Sequence, residues 1–264
     1  MLTLVEAKNL CRTWHPDFGF GSLLTLPDGN AKLSKSWDWY NSGISLLPAK
    51  FSGFNVCAES GLCELGCLAN TGRAEFDNGG IRHARMSRTQ LFFEDRELFW
   101  QILLAECSAI DRKASRLNLP VAFRPNIISD LNWPELMPGL FEAFPDWKIY
   151  GYTKVRKHVR DYIAGKFPSN YHITYSWSER TPSIELVREY LDCGVNTAVP
   201  FYEKETMRPC IPDTWKGMPV LNGDLSDIRF QDPRGIVGLK AKLPKNREKA
   251  IAKLQEANGF FVGV

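Results

Sequence analysis

The chain has 264 residues, of which 44% are hydrophobic and 24% are charged, as in an ordinary globular protein. This composition excludes a disordered tail, a collagen-like chain and a coiled coil, and the length is enough for a sizeable core. The 33 lysine and arginine residues and the 30 aspartate and glutamate residues give a net charge of +3. So small an excess does not by itself predict nucleic-acid binding.

The N-terminal sequence does not have the pattern of a signal peptide, because it carries an acid early and has no long apolar run. The longest apolar candidate, residues 98–105, is interrupted by Gln101 and falls short of the roughly 18 residues that a membrane span needs. We therefore expect a cytoplasmic protein with no membrane partner.

Residues 1–45 predict an N-terminal extension that is irregular or β-rich. Apolar residues 23–26 precede the turn sequence Pro-Asp-Gly-Asn at 27–30, which favours a hairpin. Residues 46–264 predict a second unit, an α/β domain that holds the functional site.

Short apolar runs alternate with helical patterns in the second half of the chain. Helical spacing predicts a long helix over 91–117 and shorter helices near 135–144, 155–163, 183–191 and 245–257. The apolar runs predict strands near 121–123, 148–152, 171–175, 196–199, 219–221 and 235–239. This alternation indicates βαβ units and a parallel sheet. About six mostly parallel strands favour a partial or irregular α/β barrel, and an open doubly wound sheet is the alternative.

Three cysteines lie close together in a glycine-containing segment that has no clean helical or strand period. Cys57, Cys63 and Cys67 are separated by five and then three residues. The chain has seven cysteines, an odd number that argues against a disulfide framework. Three soft thiolates at short spacing suit an iron–sulfur cluster or zinc. We expect a four-iron, four-sulfur cluster; a zinc site completed by His83 or Cys107 and three unrelated core cysteines are the alternatives.

Three protein thiolates leave one iron of a four-iron cluster with an open position. An open iron can polarise an oxygen of substrate or water as a Lewis acid. It can instead chelate S-adenosylmethionine and pass it an electron. A fourth cysteine ligand would make the cluster structural or electron-transferring.

Polar residues follow nearly every predicted strand, at the ends where α/β proteins place their chemistry. We expect three of the acids and one lysine to be catalytic and the other polar residues to bind substrate. The predicted catalytic residues are Asp130, Lys154, Glu179 and Asp224, and the predicted substrate-binding residues are Arg73, Asn126, Ser176, Asp227, Arg229 and Lys240. For each residue alone, a helix cap or an exposed loop charge is the alternative, so the prediction depends on the whole set.

Arginines cluster after the cysteines, at positions 73, 82, 85 and 88. Their guanidinium groups can bind a phosphate, sulfate or carboxylate with forked contacts, which favours a small anionic substrate. A nucleic-acid-binding surface is the weaker interpretation. Such surfaces stack bases on aromatic side chains, and Phe76 is the only aromatic residue between 72 and 90.

Several segments resemble the phage gene product 88 family of viral and plasmid proteins. The resembling stretches are 47–53, 55–57 through 67–68, 71–73, 126 with 129–130, 152–154, 174–176 with 179, and 223–224 with 227–230. This resemblance implies a phage-related iron–sulfur protein of the host cytoplasm.

The cysteine segment is also similar to that of the radical S-adenosylmethionine superfamily, in which three cysteines near the N-terminus of a partial α/β barrel hold the cluster. The usual spacing there is three and then two residues, whereas here it is five and three, and no Gly-Gly-Glu stretch follows the next strand. The resemblance implies S-adenosylmethionine as a cofactor.

Together these patterns predict an iron–sulfur enzyme that uses its open iron to hydrolyse an anionic phosphate or sulfate ester. A divergent radical S-adenosylmethionine enzyme is the first alternative. A non-catalytic redox or structural iron–sulfur protein is the second.

Overall fold

Helices and strands alternate along most of the chain in the computed structural model, which describes residues 2–15, 17, 19–29, 33–36, 38–67, 80–244 and 246–264. The helices in the described residues are α1 Leu4–Thr13, α2 Ala49–Ser52, α3 Gly80–Glu94, α4 Arg96–Arg116, α5 Trp133–Leu136, α6 Gly139–Ala143, α7 Arg156–Ile163, α8 Ile184–Asp192 and α9 Arg247–Glu256. The strands are β1 Leu24–Thr25, β2 Tyr40–Ile44, β3 Val121–Arg124, β4 Lys148–Thr153, β5 Tyr171–Ser176, β6 Thr197–Glu203, β7 Arg208–Pro209, β8 Thr214–Trp215, β9 Met218–Asn222, β10 Ile236–Lys240 and β11 Val262–Gly263.

The strands form one mixed sheet in the order β1-β2-β3-β4-β5-β6-β10-β9-β8. Neighbours from β2 to β9 along this order are parallel, whereas β1, β7 and β8 pair antiparallel with β2, β6 and β9. Strand β11 pairs in parallel with the C-terminal part of β6. The predicted α/β class with a mostly parallel sheet is confirmed. The sheet is not closed in the described residues, so the barrel stays a prediction.

The six predicted strands correspond to β3, β4, β5, β6, β9 and β10. The predicted long helix over 91–117 is instead parts of two helices, α3 and α4, because the helix is interrupted at Asp95. The Asp95 side chain accepts a hydrogen bond from the backbone N–H of Leu98 at 3.0 Å and so caps the N-terminus of α4. Helix α4 then buries one face, including Phe99, Ile102 and Leu103, in the main core.

The N-terminal extension differs from the prediction in two ways. Helix α1 occupies residues that were expected to be irregular or β-rich, and it begins with a capping box between Thr3 and Glu6. The strand that precedes the predicted turn is present, and β1 pairs antiparallel with β2. Strand β2 also pairs in parallel with β3, so residues 40–44 are part of the main sheet.

The connection between β9 and β10 covers part of one face of the sheet. Ile228 packs against Ala122 of β3 and Tyr150 of β4. Asp227 accepts two hydrogen bonds from Arg124 Nη1, at 2.9 and 2.8 Å, and one from the Tyr150 hydroxyl at 2.9 Å. This segment therefore packs against β3 and β4 on that face.

None of the described helices combines the length and the apolar character needed to cross a bilayer.

Candidate functional site

A cavity of about 250 Å³ lies at the carboxyl ends of the parallel strands. The segments that follow β3, β4, β5 and β10 line it, together with residues of β6. The segment that carries the three cysteines and the aromatic pair Phe260 and Phe261 complete its walls. This is the edge of an α/β sheet at which ligands generally bind.

Cys57, Cys63 and Cys67 all line this cavity. Cys63 lies in the short 3-10 turn Gly61–Glu64, and its backbone N–H donates to the carbonyl of Ser60 at 3.0 Å. Gly61 has a φ of +48°, in the left-handed region that favours glycine. With this turn, the Cys63 thiol lines the same cavity as the Cys57 thiol.

Glu179, a predicted catalytic residue, holds the cysteine segment. Its Oε1 accepts a hydrogen bond from the backbone N–H of Leu62 at 3.0 Å. Glu179 is not among the residues that line the cavity. The structure therefore gives this carboxylate a positioning contact, with no contact to the space where substrate would bind.

The Cys57 thiol lies 3.7 Å from the carbonyl oxygen of Ile128, to which it donates a weak hydrogen bond. Burial raises the pKa of Cys57 to about 12, and the negative charge of Asp130 acts in the same direction. Such a thiol is protonated at neutral pH, so a metal must displace its proton to bind as thiolate.

The side chains around the cavity bear on the two metal sites that the sequence suggests, zinc and an iron–sulfur cluster. Within the described part of the chain, no three His, Cys, Asp or Glu side chains are grouped to hold a metal ion. Cys107, a suggested fourth zinc ligand, is fully buried in the main core and does not line the cavity. In an iron–sulfur cluster each thiolate binds a different iron, so the three sulfurs need not meet at one point as they would around a single ion.

Asp130 and Lys154 meet at the cavity wall. The backbone N–H of Lys154 donates to Asp130 Oδ2 at 2.8 Å, and Asp130 Oδ1 lies 3.9 Å from His158 Nδ1. Burial raises the pKa of Asp130 above its usual value despite the opposing contacts with Lys154. Burial alone would lower the pKa of Lys154, but the neighbouring Cys63 and Asp130 outweigh it and the net direction is upward. Asp130 is thus suited to hold a proton, and Lys154 remains a cation.

Further cations lie on the β10 side of the cavity. Lys240 and Lys242 both line it and are exposed. Asp224 also lines it, and its Oδ2 accepts a hydrogen bond from the backbone N–H of Lys240 at 3.3 Å. Ser176, at the end of β5, lies on the same wall. These predicted residues are therefore brought together around one space.

Asn126 lines the cavity too, but its side-chain amide is occupied by the loop that follows β3. Its Oδ1 accepts hydrogen bonds from the Ser129 hydroxyl at 2.7 Å and from Trp133 Nε1 at 2.9 Å, and its Nδ2 donates to the Leu131 carbonyl at 2.9 Å. The residue is 3% exposed. Its contacts fit shaping of the wall better than the predicted contact with substrate.

The structure does not bring the predicted substrate-binding residues Asp227 and Arg229 to the cavity lining. They are 0% and 2% exposed, respectively. Asp227 pairs with Arg124, and Arg229 pairs with Asp232 at 2.9 Å. Their placement follows from the loop between β9 and β10, which turns back over the sheet face. Arg73 lies outside the described residues.

Two arginines of the predicted cluster, Arg82 and Arg88, lie on α3 and contact other parts of the chain. Arg88 Nε donates to the carbonyl of Ser22 at 2.8 Å, which ties α3 to the chain that precedes β1. The Arg82 guanidinium lies over the Phe51 ring, 4.8 Å from its centroid. Neither residue lines the cavity.

Sequence reasoning missed the aromatic side of the site. Trp177, Phe260 and Phe261 line the cavity, and Trp177 Nε1 donates to the carbonyl of Gly259 at 2.8 Å. A Cβ atom on Gly66 would lie 2.9 Å from each of the two phenylalanine rings, so the cysteine segment approaches them closely. The apolar stretch at 260–262 is the only local signal for this wall, and it does not indicate which segment it will contact.

One protein-family model matches most of the chain. No curated protein and no solved structure matches it. The family model described as gene product 88 matches residues 23–255, a range that includes the cysteine segment and the strands β2 to β10. A match over this share of the chain shows that the protein belongs to the gene product 88 family.

Proposed function

We propose that this protein is an iron–sulfur enzyme in which Cys57, Cys63 and Cys67 hold a four-iron cluster with one iron open to the cavity. The observation that supports this most strongly is that the three thiols line one cavity at the carboxyl ends of the parallel strands. When bound, such a cluster would supply a Lewis-acidic iron or a single electron. The reducing host cytoplasm, where thiols stay unoxidised, is the compartment that suits such a site.

The reaction we propose is hydrolysis of an anionic phosphate or sulfate ester. Lys240 and Lys242 line the side of the cavity formed by β10, and their ammonium groups would hold the anionic part of the substrate. Asp130, whose pKa burial raises, would hold or transfer a proton on the opposite side, next to Lys154. Asp224 would orient this region through its contact with the Lys240 backbone.

Cleavage of S-adenosylmethionine is a second candidate, and the strand order favours it. The cysteine segment follows β2, the first strand of a run in which β2 to β6 lie side by side in chain order. A partial barrel of the kind expected from the resemblance to the radical S-adenosylmethionine superfamily would have this strand order. The aromatic wall formed by Trp177, Phe260 and Phe261 would suit a flat heterocycle such as adenine.

The first experiment measures iron and acid-labile sulfide in protein purified without oxygen. We expect about four irons per chain and a brown colour for the wild type, with both lost in Cys63→Ala. Cys193→Ala is the matched control, because Cys193 is exposed and does not line the cavity. A colourless wild type, or one that binds zinc instead of iron, would overturn the proposal.

The second experiment separates the reactions. Turnover of a chromogenic phosphate or sulfate ester that disappears in Cys63→Ala supports hydrolysis, and undiminished turnover in that variant rejects it. A change in the electron paramagnetic resonance spectrum of the reduced protein on adding S-adenosylmethionine supports the second candidate. A brown protein with neither response would have a redox or structural cluster.

A further inference from the structure

Part of the cavity floor is formed by β6, and it separates two different walls. Ala198 and Pro200 of this strand line the cavity and are apolar. β10 and β11 pair with β6 on opposite sides, because Lys240 and Val262 are both register partners of Phe201. Neighbouring strands lie about 4.8 Å apart, so the ends of β10 and β11 lie roughly 10 Å from each other with β6 between them.

The wall on the β11 side is aromatic. Phe260 and Phe261 directly precede β11 and are 8% and 6% exposed, whereas Trp177, which directly follows β5, is half-buried. The Trp177 ring is held in place, because its Nε1 donates to the carbonyl of Gly259 at 2.8 Å and it packs edge-on against Trp215, with ring centroids 5.3 Å apart. A flat ligand that stacks on a ring already fixed in this way costs little side-chain entropy.

The wall on the β10 side carries an excess of positive charge. Lys240 and Lys242 line the cavity and are exposed. The residue between them, Ala241, is 2% exposed, and its backbone N–H donates to the carbonyl of Phe201 at 3.0 Å, which fixes the backbone of both lysines to the end of β6. Asp224 lies on the same wall, where two ammonium groups outnumber its one carboxylate.

We infer that this cavity binds a nucleoside phosphate, with the base stacked on Trp177 and the phosphate at Lys240 and Lys242. In such a molecule the ribose separates a flat base from an anionic group, as the floor of the cavity separates the aromatic wall from the cationic one. Every base has a π-face, so stacking on Trp177 predicts little preference among bases. This inference rests on the proposed function for the ester bond alone, which it specifies as that of a nucleotide, and binding itself requires no cluster.

The test is isothermal titration calorimetry of the full-length protein with AMP, together with a measurement of iron in the same sample. We expect AMP to bind more tightly than adenosine or inorganic phosphate, and its affinity to fall as salt screens the two ammonium groups. Trp177→Leu should weaken AMP binding roughly 5- to 150-fold, whereas Trp177→Phe, which keeps an aromatic face, should retain most of the affinity. Lys242→Met should weaken it about two- to fivefold. Lys148→Met is the matched control, because Lys148 is exposed at the amino end of β4 and does not line the cavity.

The possible results differ in what they reject. The inference is overturned if AMP does not bind, if Trp177→Leu binds it as the wild type does, or if Lys148→Met weakens binding as much as Lys242→Met. Equal affinities for AMP, adenosine and S-adenosylmethionine would reject the phosphate contact. Tighter binding of a 5′-phosphorylated oligonucleotide than of AMP would reject a free nucleotide as the ligand. A sample that binds AMP as expected but contains no iron retains this inference and overturns the proposed function, and a sample with iron that does not bind AMP does the reverse.

Discussion

Replacing Asp227 with asparagine tests whether this residue stabilises the fold or binds substrate. Asp227 is 0% exposed, and its ion-pair partner Arg124 is 7% exposed. Removing one partner of a buried ion pair costs about 3–5 kcal/mol, because the other charge is left buried and uncompensated. The Tyr150 hydroxyl, which donates to the Asp227 carboxylate, also loses a charged acceptor. We therefore expect Asp227→Asn to lower the free energy of unfolding by about 3–5 kcal/mol, a large part of the roughly 5–15 kcal/mol typical of a domain.

The assay is urea unfolding followed by circular dichroism, with linear extrapolation to water. Asp192→Asn is the control, because Asp192 and Arg234 form an ion pair whose side chains are 66% and 65% exposed. We expect that control to lose less than about 1 kcal/mol. The double variant Arg124→Met with Asp227→Leu removes both charges, so it should be less destabilised than Asp227→Asn. A loss below about 1 kcal/mol for Asp227→Asn would refute this reasoning and favour a role in binding.

Three further predictions concern single residues. Burial lowers the pKa of His172 to about 4, so the unfolded chain takes up a proton below about pH 6.5 before the folded chain does. Between pH 6.5 and 4, the wild type should therefore lose up to about 3 kcal/mol of stability that His172→Gln does not lose, as measured by unfolding at each pH. Gly66→Ala would force a Cβ to within 2.9 Å of the Phe260 and Phe261 rings, and we expect a loss of about 1–3 kcal/mol together with a lower iron content. Asp95→Ala removes the N-cap of α4, and its expected cost in urea unfolding is about 1 kcal/mol.

Each of these has an outcome that contradicts it. If the free energy of unfolding changes equally with pH in the wild type and in His172→Gln, the pKa of His172 is not lowered in the folded chain. Gly21→Ala is the control for Gly66→Ala, because a Cβ on Gly21 meets no atom within 4 Å. Equal iron contents in these two variants would contradict the close packing of the cysteine segment. An unchanged stability in Asp95→Ala would mean that the break between α3 and α4 does not depend on this cap.

The sequence predicted the parallel strands because their signal is local. Strands β3 to β6 are short runs rich in apolar residues, buried on both faces, and such runs can be recognised without knowing their neighbours. Strand β2 was missed because it contains Asn41 and Ser42, which are polar yet fully buried. The Asn41 amide is satisfied by Ser36 and Tyr150, contacts that only the folded chain reveals.

The site residues were also predictable where the signal is local, and were not where it depends on distant contacts. Lys154 directly follows β4, so the strand itself places it at the carboxyl edge, whereas Asp130 lies in the loop after β3; both line the cavity. Asp227 lies in a loop that is long enough to turn back over the sheet, so its distance from the site depends on a fold that local sequence does not encode. Phe260 and Phe261 reach the site through contacts with residues nearly two hundred positions away.

The pairing of β2 with β3 closes a much longer stretch of chain than the pairings beside it. Strand β2 ends at Ile44 and β3 begins at Val121, whereas β4 ends at Thr153 and β5 begins at Tyr171. Longer closures cost more conformational entropy, and among the described residues only the two-residue strand β1 lies outside β2 in the sheet. The three cysteines lie within that long stretch, between β2 and β3. If they hold the proposed cluster, all three of its cysteine ligands come from the one connection whose closure costs more entropy than that of the pairings compared with it.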